Sequence, residues 1–391
     1  MRIAAIAAAT GLTLALGAPA SAATAAGDWT SDGGSQSNRY WNEHETAITA
    51  DTVADLKEQF RVTTGTTALG DPLVVDGTIY LPHDDGVTAY SADGGRKLWT
   101  HHVDSVPELA WQDGALYVAS GSLQTPSRLT ALTSDGRARW THTVDDIQLD
   151  TLAVGDGRVA VSGTNRDYTA KRTLAFRGNG SVAWTKEGHT LTERSTLVDG
   201  HGQVFLQPWD ETSPADATLA VALDSGEVRW RADKALQPRA AVDGSVVAME
   251  DKGVVTHRLH SLSSTDGATE WDVATSHYAT ARAMAADDSH AYLAERHADA
   301  LTARDLSTGE VSWRAPVPED ADLTDPVVAG GLVYLTASSG SDRQLSAYRA
   351  ESGEKVWTYR IDRSGFGQHP VVADGWLYLV AGDQLRAFRP T

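Results

Sequence analysis

One long predicted loop holds the side chains best suited to contact a ligand. Trp209, Asp210 and Glu211 stand together in segment 206–216, which prolines interrupt at two places. An indole ring on a polar loop can stack on a sugar, a quinone or an aromatic side chain of a protein, and the carboxylates can orient that ligand. The sequence therefore makes Trp209 the first ligand-contact candidate. The other interpretation is that its ring covers the edge of a sheet.

Basic and aromatic residues of other predicted loops form a second candidate set. If they converge, they would bind an anionic ligand or an acidic peptide, although the protein as a whole is acidic. The members are Arg166, Tyr168, Lys171, Arg239, Tyr278, Arg282 and Arg296. Convergence of residues so far apart depends on the fold, since their spacing follows no local pattern.

Two groups could hold a metal ion. Asp320, Asp322 and Asp325 offer carboxylate oxygens at short spacing, and calcium prefers oxygen ligands. They lack the fixed pattern and the central glycine of an EF-hand loop. The segment 83–85, His-Asp-Asp, offers one nitrogen and two carboxylates, but the glycine that follows makes a turn the first interpretation there.

Recognisable catalytic motifs are absent from the sequence. It contains no Gly-x-Ser-x-Gly nucleophile elbow, no His-Glu-x-x-His helix, no phosphate-binding loop and no dinucleotide fingerprint. The chain carries 52 acidic and 33 basic residues, a net charge of −19, so its surface repels nucleic acid and anionic lipid. We therefore expect a non-catalytic protein that neither binds nucleic acid nor inserts into a membrane.

The N-terminus predicts export. A basic residue, an apolar run and an Ala-x-Ala sequence ending at Ala22 follow one another, so residues 1–22 are predicted to be a secretory signal peptide. An uncleaved membrane anchor is the alternative. The chain has no cysteine and therefore no disulfide. We expect a protein that is extracellular or associated with the cell envelope, with a lead-in segment at 23–55 and its main domain at 56–391.

An internal repeat predicts the fold. A tryptophan follows a glycine by four residues seven times, and the tryptophans recur at steps of 41–46 residues. They are Trp99, Trp140, Trp184, Trp230, Trp271, Trp313 and Trp357. Asp-Gly or a related pair also divides alternating apolar runs eight times, as in segment 73–80, and such a pair predicts a β-hairpin. Four short strands per unit at this period are typical of a β-propeller blade.

The hairpins outnumber the tryptophans by one, and the two ends of the chain explain the difference. Segment 384–388 supplies only a third strand for the last unit, whereas segment 55–62 carries Phe60 about one period before Trp99. We therefore predict an all-β, eight-bladed β-propeller of four-stranded blades, closed into a ring by an N-terminal strand that completes the C-terminal blade. Residues up to Ala47 are expected to contribute little to stability.

The repeat resembles a known family. Segment 303–313 matches in full the Ala-x-Asp-x-x-Thr-Gly-x-x-x-Trp pattern of pyrroloquinoline-quinone (PQQ)-like propeller repeats, and segment 28–56 is similar to the lead-in of quinoprotein alcohol dehydrogenases and BamB-like propellers. The resemblance implies that Phe60 and the seven tryptophans dock between neighbouring blades. It also makes PQQ and calcium the alternative cofactors. The quinoprotein alcohol dehydrogenases use a vicinal cysteine pair that this chain lacks, so no cofactor is expected.

Together these features favour a secreted, monomeric binding or scaffold module for a protein or a glycan of the cell envelope. Its ligand should bind on the face of the ring that carries the variable loops. The sequence of such loops can vary without disturbing the strands, so binding residues are often found on them. One alternative function is that of a PQQ- and calcium-dependent dehydrogenase. Another is that of an extracellular ligand-sensing module.

Overall fold

The computed structural model describes residues 27–66, 70–105, 107–122, 125–192, 197–208, 217–251, 257–275, 284–362 and 368–391. Within these ranges the chain forms thirty-four β-strands and two short 3₁₀ helices, Val53–Asp55 and Arg296–Ala298. The strands make eight sheets, each built on four strands, and the sheets are the blades of a ring. The predicted eight-bladed β-propeller is confirmed. No helix in the described part of the chain is long and apolar enough to cross a membrane.

The first four blades follow the chain in order. Blade 1 contains Leu73–Val75, Thr78–His83, Gly86–Ser91 and Lys97–His102. Blade 2 contains Glu108–Gln112, Ala115–Ser120, Ser127–Leu132 and Ala138–Val144. Blade 3 contains Gln148–Gly155, Arg158–Thr164, Lys171–Arg177 and Val182–Glu187. Blade 4 contains His189–Leu191, Gln203–Pro208, Thr218–Ala222 and Val228–Ala232.

The remaining blades continue in the same direction until the last, which takes its fourth strand from the N-terminal part of the chain. Blade 5 contains Leu236–Val242, Ser245–Asp251, His257–Ser263 and Thr269–Ala274. Blade 6 contains Met284–Ala286, His290–Glu295, Ala300–Asp305 and Val311–Pro316. Blade 7 contains Val327–Ala329, Leu332–Ser339, Asp342–Arg349 and Lys355–Arg360, with Trp41–Asn42 and Asp322–Leu323 added. Blade 8 contains Val371–Ala373, Trp376–Ala381, Gln384–Pro390 and Leu56–Thr63.

Burial decides which strand of a blade faces the axis. First strands such as Leu73–Val75 and Val371–Ala373 are fully buried and contact each other across the blade boundary, so they surround the axis. Fourth strands such as Lys355–Arg360 are largely exposed and form the rim. The first and second strands of blade 1 meet at Asp76 and Gly77, both with positive φ, which is the conformation of a tight hairpin turn. We call the face with these turns the turn face and the opposite face the loop face.

Six of the seven repeat tryptophans lie across the boundary between two blades. The Trp99 ring lies where a methyl group on Gly136 of the next blade would stand, 2.6 Å from the nearest ring atom. The indole nitrogen of Trp99 donates to the Ser134 carbonyl of that same blade at 2.8 Å. The same two contacts, with Nε1–O distances of 2.7–2.9 Å, recur for Trp140, Trp184, Trp230, Trp271 and Trp313.

The alanine of the repeat pattern stands opposite the tryptophan on the neighbouring strand. Trp99 pairs with Ala89, and Trp313 pairs with Ala303, the first residue of the full pattern match. Phe60 pairs with Ala387 in the same way. A small side chain at this position leaves the face of the large ring free to reach the next blade.

The N-terminal strand closes the ring as predicted. Leu56–Thr63 pairs antiparallel with Gln384–Pro390 and becomes the rim strand of blade 8. Its Phe60 ring occupies the space over Gly95 of blade 1, where a methyl group would lie 2.6 Å from the ring. At the preceding boundary, the 3₁₀ helix Val53–Asp55 packs against the strand that carries Trp357. Both ends of the chain are therefore tied into one blade.

The lead-in, residues 27–42, lies on the axis of the ring. Carbonyl groups of this segment accept hydrogen bonds of 2.7–3.0 Å from backbone N–H groups of six blades. The donors are Val74, Trp111, Val198, Ala241, Ala286 and Val328. The Asn42 amide reaches an eighth-blade carbonyl, that of Val372, at 2.9 Å. The axis is thus occupied by the chain itself, through contacts that require particular backbone positions more than particular side chains.

The lead-in sits at the turn-face end of the axis, because it contacts the hairpin turns there. The Asp28 carboxylate accepts from the Asp76 amide at 3.1 Å, and the buried Glu45 accepts from the Gly375 amide at 3.0 Å. Trp29 is fully buried and Tyr40 nearly so. The expectation that residues up to Ala47 contribute little to stability does not fit this packing, because the period of the repeat carries no information about a segment outside it.

We expect Gly136→Ala to destabilise the protein more than Gly77→Ala. Both glycines have positive φ, so both variants incur a backbone penalty of roughly 1–2 kcal/mol. Only the methyl group at position 136 meets the Trp99 ring, which adds about 1–3 kcal/mol of steric strain, whereas position 77 faces open space. Denaturant unfolding of the two variants measures the difference, and equal losses would show that ring stacking on glycine does not hold the blades together.

We also expect a chain that begins at Ile48 to melt well below one that begins at Gly27. The shorter chain loses the axial hydrogen bonds and the burial of Trp29 and Tyr40, yet keeps the strand Leu56–Thr63 that closes the ring. Differential scanning calorimetry compares the two. Equal melting temperatures would mean that the lead-in only occupies the axis and does not stabilise the ring.

Candidate functional site

Part of the predicted site lies outside the described residues. Trp209, Asp210 and Glu211 belong to the range 209–216, and Tyr278 and Arg282 belong to the range 276–283. Residues 1–22, the predicted signal peptide, lie outside as well. The remaining candidates can be placed on the fold.

Arg166 and Tyr168 lie in the loop between the second and third strands of blade 3, on the loop face. Asn165 fastens this loop at both ends. Its backbone N–H donates to the Ala170 carbonyl and its side-chain oxygen accepts from the Ala170 amide, both at 2.9 Å. The Asn165 carbonyl also accepts from the Tyr168 amide at 3.0 Å. The Tyr168 side chain is 66% exposed at the tip of the loop, although its backbone is fixed in a left-handed conformation.

A cleft between blades 2 and 3 opens beside this loop. Its volume is about 510 Å³, and Arg166 and Asp167 form one wall of it. The other walls include Ser122, Pro126, Asp145, Asp146 and Gln148. Three aspartates and one arginine therefore line the cleft. Although the sequence suggested an anionic ligand for Arg166, the surroundings of its side chain favour a cationic one.

Of the other basic candidates, Lys171 follows the same loop directly, whereas Arg239 and Arg296 lie on other blades. Arg239 is buried on the first strand of blade 5, where its carbonyl accepts from the Asn38 amide of the lead-in at 2.6 Å. Arg296 lies in the short helix of blade 6 and forms an ion pair with Asp322, at 2.7 Å between Nη1 and Oδ1. Lys171 begins the third strand of blade 3. The structure therefore divides the predicted cluster among three blades.

The three aspartates considered for calcium do not form a common site. Asp322 pairs with Arg296, and the Asp320 amide is bound by Asp299. Asp325 instead stands near the Tyr40 hydroxyl on the axis and contributes to the raised pKa of that group. Among the described residues, carboxylates and histidines form two groups compact enough to hold a metal ion, and neither contains these aspartates.

One of the two compact groups is the turn at His83, Asp84 and Asp85. Both ring nitrogens of His83 already have partners, the Thr88 hydroxyl at 2.9 Å and the Asp85 amide at 3.2 Å. Burial lowers the pKa of His83, which keeps the ring neutral and able to accept from that amide. This geometry is that of a hydrogen-bonded turn, in line with the first interpretation of the sequence.

The other compact group lies on the axis and was not identified from the sequence. It consists of Asp32 of the lead-in, Asp71 of blade 1 and His369 of blade 8. Two of these three residues share a sequence feature that could have identified them. Asp71 and His369, like Asp325, each precede a proline and stand two residues before the first strand of their blade. Proline holds the residue before it in an extended conformation, so equivalent positions on neighbouring blades face the axis alike.

Burial is the main reason why the pKa of Tyr40, which contacts this group, lies well above its ordinary value; the charges of Asp32 and Asp325 add to it. The neutral hydroxyl therefore donates to Asp32 Oδ2 at 2.8 Å. The rings of Trp29 and Tyr40 flank His369, with centroids 6.3 Å and 5.0 Å from the imidazole. These aromatic rings form the apolar floor of a polar cluster on the axis.

Sequence comparison relates the chain to one family. A family model described as outer membrane protein assembly factor BamB matches residues 83–255 and 212–390. The protein of that name from Salmonella typhimurium is 24% identical over 336 residues, which cover 80% of this chain and 82% of the relative. The one from Shewanella oneidensis is 22% identical over 194 residues, covering 41% of this chain and 47% of the relative.

Solved structures show the same fold. Quinohemoprotein alcohol dehydrogenase from Comamonas testosteroni superposes with a TM-score of 0.69 at 15% identity, covering 92% of this chain and 80% of that one. BamB from Moraxella catarrhalis superposes with a TM-score of 0.63 at 14% identity, covering 85% of this chain and 99% of that one. An enzyme and an assembly factor share this architecture, so the fold alone does not select between their activities.

We expect Asn165→Ala to loosen the Tyr168 loop without weakening the ring. The variant loses the side-chain acceptor for the Ala170 amide and the bond to Thr169. Hydrogen exchange measured by mass spectrometry should speed up about tenfold or more for the Ala170 amide, because each lost hydrogen bond is worth roughly 1–1.5 kcal/mol. Peptides from the third strand of blade 3 serve as the internal control. Unchanged exchange at Ala170 would show that the backbone alone fixes the loop.

Proposed function

Because the chain belongs to the family of the outer membrane protein assembly factor BamB, we propose that it is a non-catalytic scaffold of the cell envelope that binds a protein partner on its loop face. The two relatives are named as assembly factors of outer membrane proteins, and an assembly factor acts through contacts with other proteins. The predicted signal peptide supports export of this chain. The single structural observation that supports protein binding most strongly is the rigid, exposed Tyr168 beside the acidic cleft.

The lead-in bears on where a partner can bind. It fills the turn-face end of the axis with hydrogen bonds to the surrounding blades, so a ligand does not pass through the ring. The loop face is the surface on which neighbouring blades present loops of different length and composition. A partner of macromolecular size would contact several of these loops at once.

The cleft between blades 2 and 3 has the properties of a recognition surface. Tyrosine gives a large amphipathic contact at low entropic cost, and the cost falls further when its loop is already ordered before binding. The carboxylates of Asp145, Asp146 and Asp167 complement basic side chains of a partner. We therefore propose that an extended segment with basic residues binds in the cleft, with Tyr168 as its aromatic anchor.

A photo-reactive phenylalanine derivative placed at position 168 tests this function in the organism that makes the protein. We expect illumination to give one main protein adduct of defined mass in the envelope fraction. The same derivative at position 311, on the rim strand of blade 6, is the matched control, because Val311 is also exposed but lies far from the loop face.

The charge argument is tested in the same experiment. Replacing Asp145, Asp146 and Asp167 together by asparagine should reduce the yield of the adduct at position 168 at least tenfold, since the partner loses its electrostatic complement. High salt should act in the same direction. Equal labelling at positions 168 and 311, or an adduct with glycan instead of protein, would contradict the proposed protein-binding role of the cleft.

A further inference from the structure

We propose that Asp32, Asp71 and His369 form a binding site for a divalent transition-metal ion of the zinc class on the axis of the ring. One ligand atom from each side chain lies within 4.8 Å of the other two. The three residues come from the lead-in, from the entry to blade 1 and from the entry to blade 8. This site is independent of the protein-binding cleft, which lies between blades 2 and 3.

His369 is the observation that distinguishes this cluster from a chance group of acidic residues. The residue is 5% exposed, and its Nε2 is buried without a hydrogen-bond partner among the described residues. Its Nδ1 lies 3.6 Å from Asp71 Oδ2, which is too long for a hydrogen bond. A buried imidazole normally has a partner for at least one nitrogen, since an unsatisfied polar group costs about 1–3 kcal/mol. A cation held between the three side chains gives the imidazole a partner at Nδ1, the nitrogen that faces Asp71.

The spacing of the side chains suits a small cation. Zinc binds nitrogen and oxygen ligands at about 2.0–2.2 Å, so two ligands at a tetrahedral angle stand about 3.4 Å apart. The Nδ1–Oδ2 distance of 3.6 Å between His369 and Asp71 is close to that value. The Asp32 ligand atom lies within 4.8 Å of the other two, so a rotation of its side chain toward them completes a three-residue ligand set.

The contacts around the ligands hold them in place. The Tyr40 hydroxyl donates to one oxygen of Asp32 and leaves the other free to face the cluster. The rings of Trp29 and Tyr40 both pack against the imidazole, and these contacts restrict its rotation. Metal sites in proteins depend on such outer contacts for their affinity, because these contacts orient the ligands before the ion arrives.

The donor set selects the class of metal. Calcium and magnesium take oxygen ligands and six or more of them, whereas one imidazole with two carboxylates suits zinc or manganese. The Asp71 side chain is 18% exposed, so the ion can reach the site from solvent and keep a water molecule as a further ligand. The turn at His83 is also a compact group, but both nitrogens of that ring are already hydrogen-bonded, so it should not compete.

Metal analysis of the chain from Gly27 onward tests the site. The protein is stripped with EDTA, incubated with zinc chloride and desalted, and its zinc content is measured by mass spectrometry. We expect about one zinc per chain. Zinc at a hundredfold excess over its dissociation constant should raise the melting temperature by about 3–5 °C, and EDTA should reverse the shift.

Three variants separate coordination from stability. Asp71→Asn and His369→Gln should each lose the bound zinc and the zinc-dependent shift, while Asp84→Asn in the turn at His83 should keep both. If His369→Gln fails to fold, Asp32→Asn replaces it, because the amide oxygen still accepts from Tyr40. Melting in EDTA shows whether each variant folds without the ion. Wild-type protein that retains no zinc, or a folded His369→Gln variant that retains it, would overturn the proposal.

Discussion

The propeller depends most on one contact, the packing of an indole face against a glycine of the next blade. A propeller blade touches only its two neighbours, so the whole assembly is as strong as the boundary between one sheet and the next. At six boundaries a tryptophan covers a glycine whose Cβ position its ring occupies, and the indole nitrogen donates to a carbonyl in the same turn. Apolar burial and a satisfied polar group come from one side chain, which explains why the repeat keeps this residue type.

The boundary between blades 8 and 1, which closes the ring, has a different aromatic contact. The last blade takes its rim strand from the other end of the chain, and Phe60 provides the ring that covers Gly95. Phenylalanine has no N–H to donate, so this boundary lacks the hydrogen bond found at six of the seven others. The same part of the ring holds the added 3₁₀ helix, the extra strands of blade 7 and the axial cluster of Asp32, Asp71 and His369. Extra contacts thus accumulate where the repeated one is weakest.

The repeat period predicted the fold because it is a local property. Glycine and tryptophan four residues apart indicate a turn and a docking ring, and Asp-Gly between apolar runs indicates a hairpin, so blade number and the role of Phe60 in closure could be inferred. The contacts on the axis could not be inferred from the sequence. Period places Asp71 and His369 within their blades but does not say that blades 8 and 1 bring them together, and the lead-in has no repeat that would place Asp32 beside them.

The candidate site, like the fold, could be predicted from the sequence only in part. Arg166 and Tyr168 were selected as loop residues, and both lie on the loop face. Their surroundings depend on Asp145 and Asp146 of the connection between blades 2 and 3, so the acidic character of the cleft emerged only with the fold. Arg239 carries the same charge as Arg166 but sits on a first strand, where it is buried. Charge type alone does not reveal whether a residue faces solvent or the axis.

The position of the lead-in has a consequence for how the protein is made. Residues 27–42 are synthesised before any blade, yet their partners are distributed over blades as late as the eighth. The strand Leu56–Thr63 likewise pairs with the last strand, Gln384–Pro390, across more than three hundred residues. Neither the lead-in nor this strand can reach its native position while the chain is still being synthesised, so the ring must form after synthesis is complete. Until its last strand has been made, the chain therefore lacks the contacts that give the closed ring its stability.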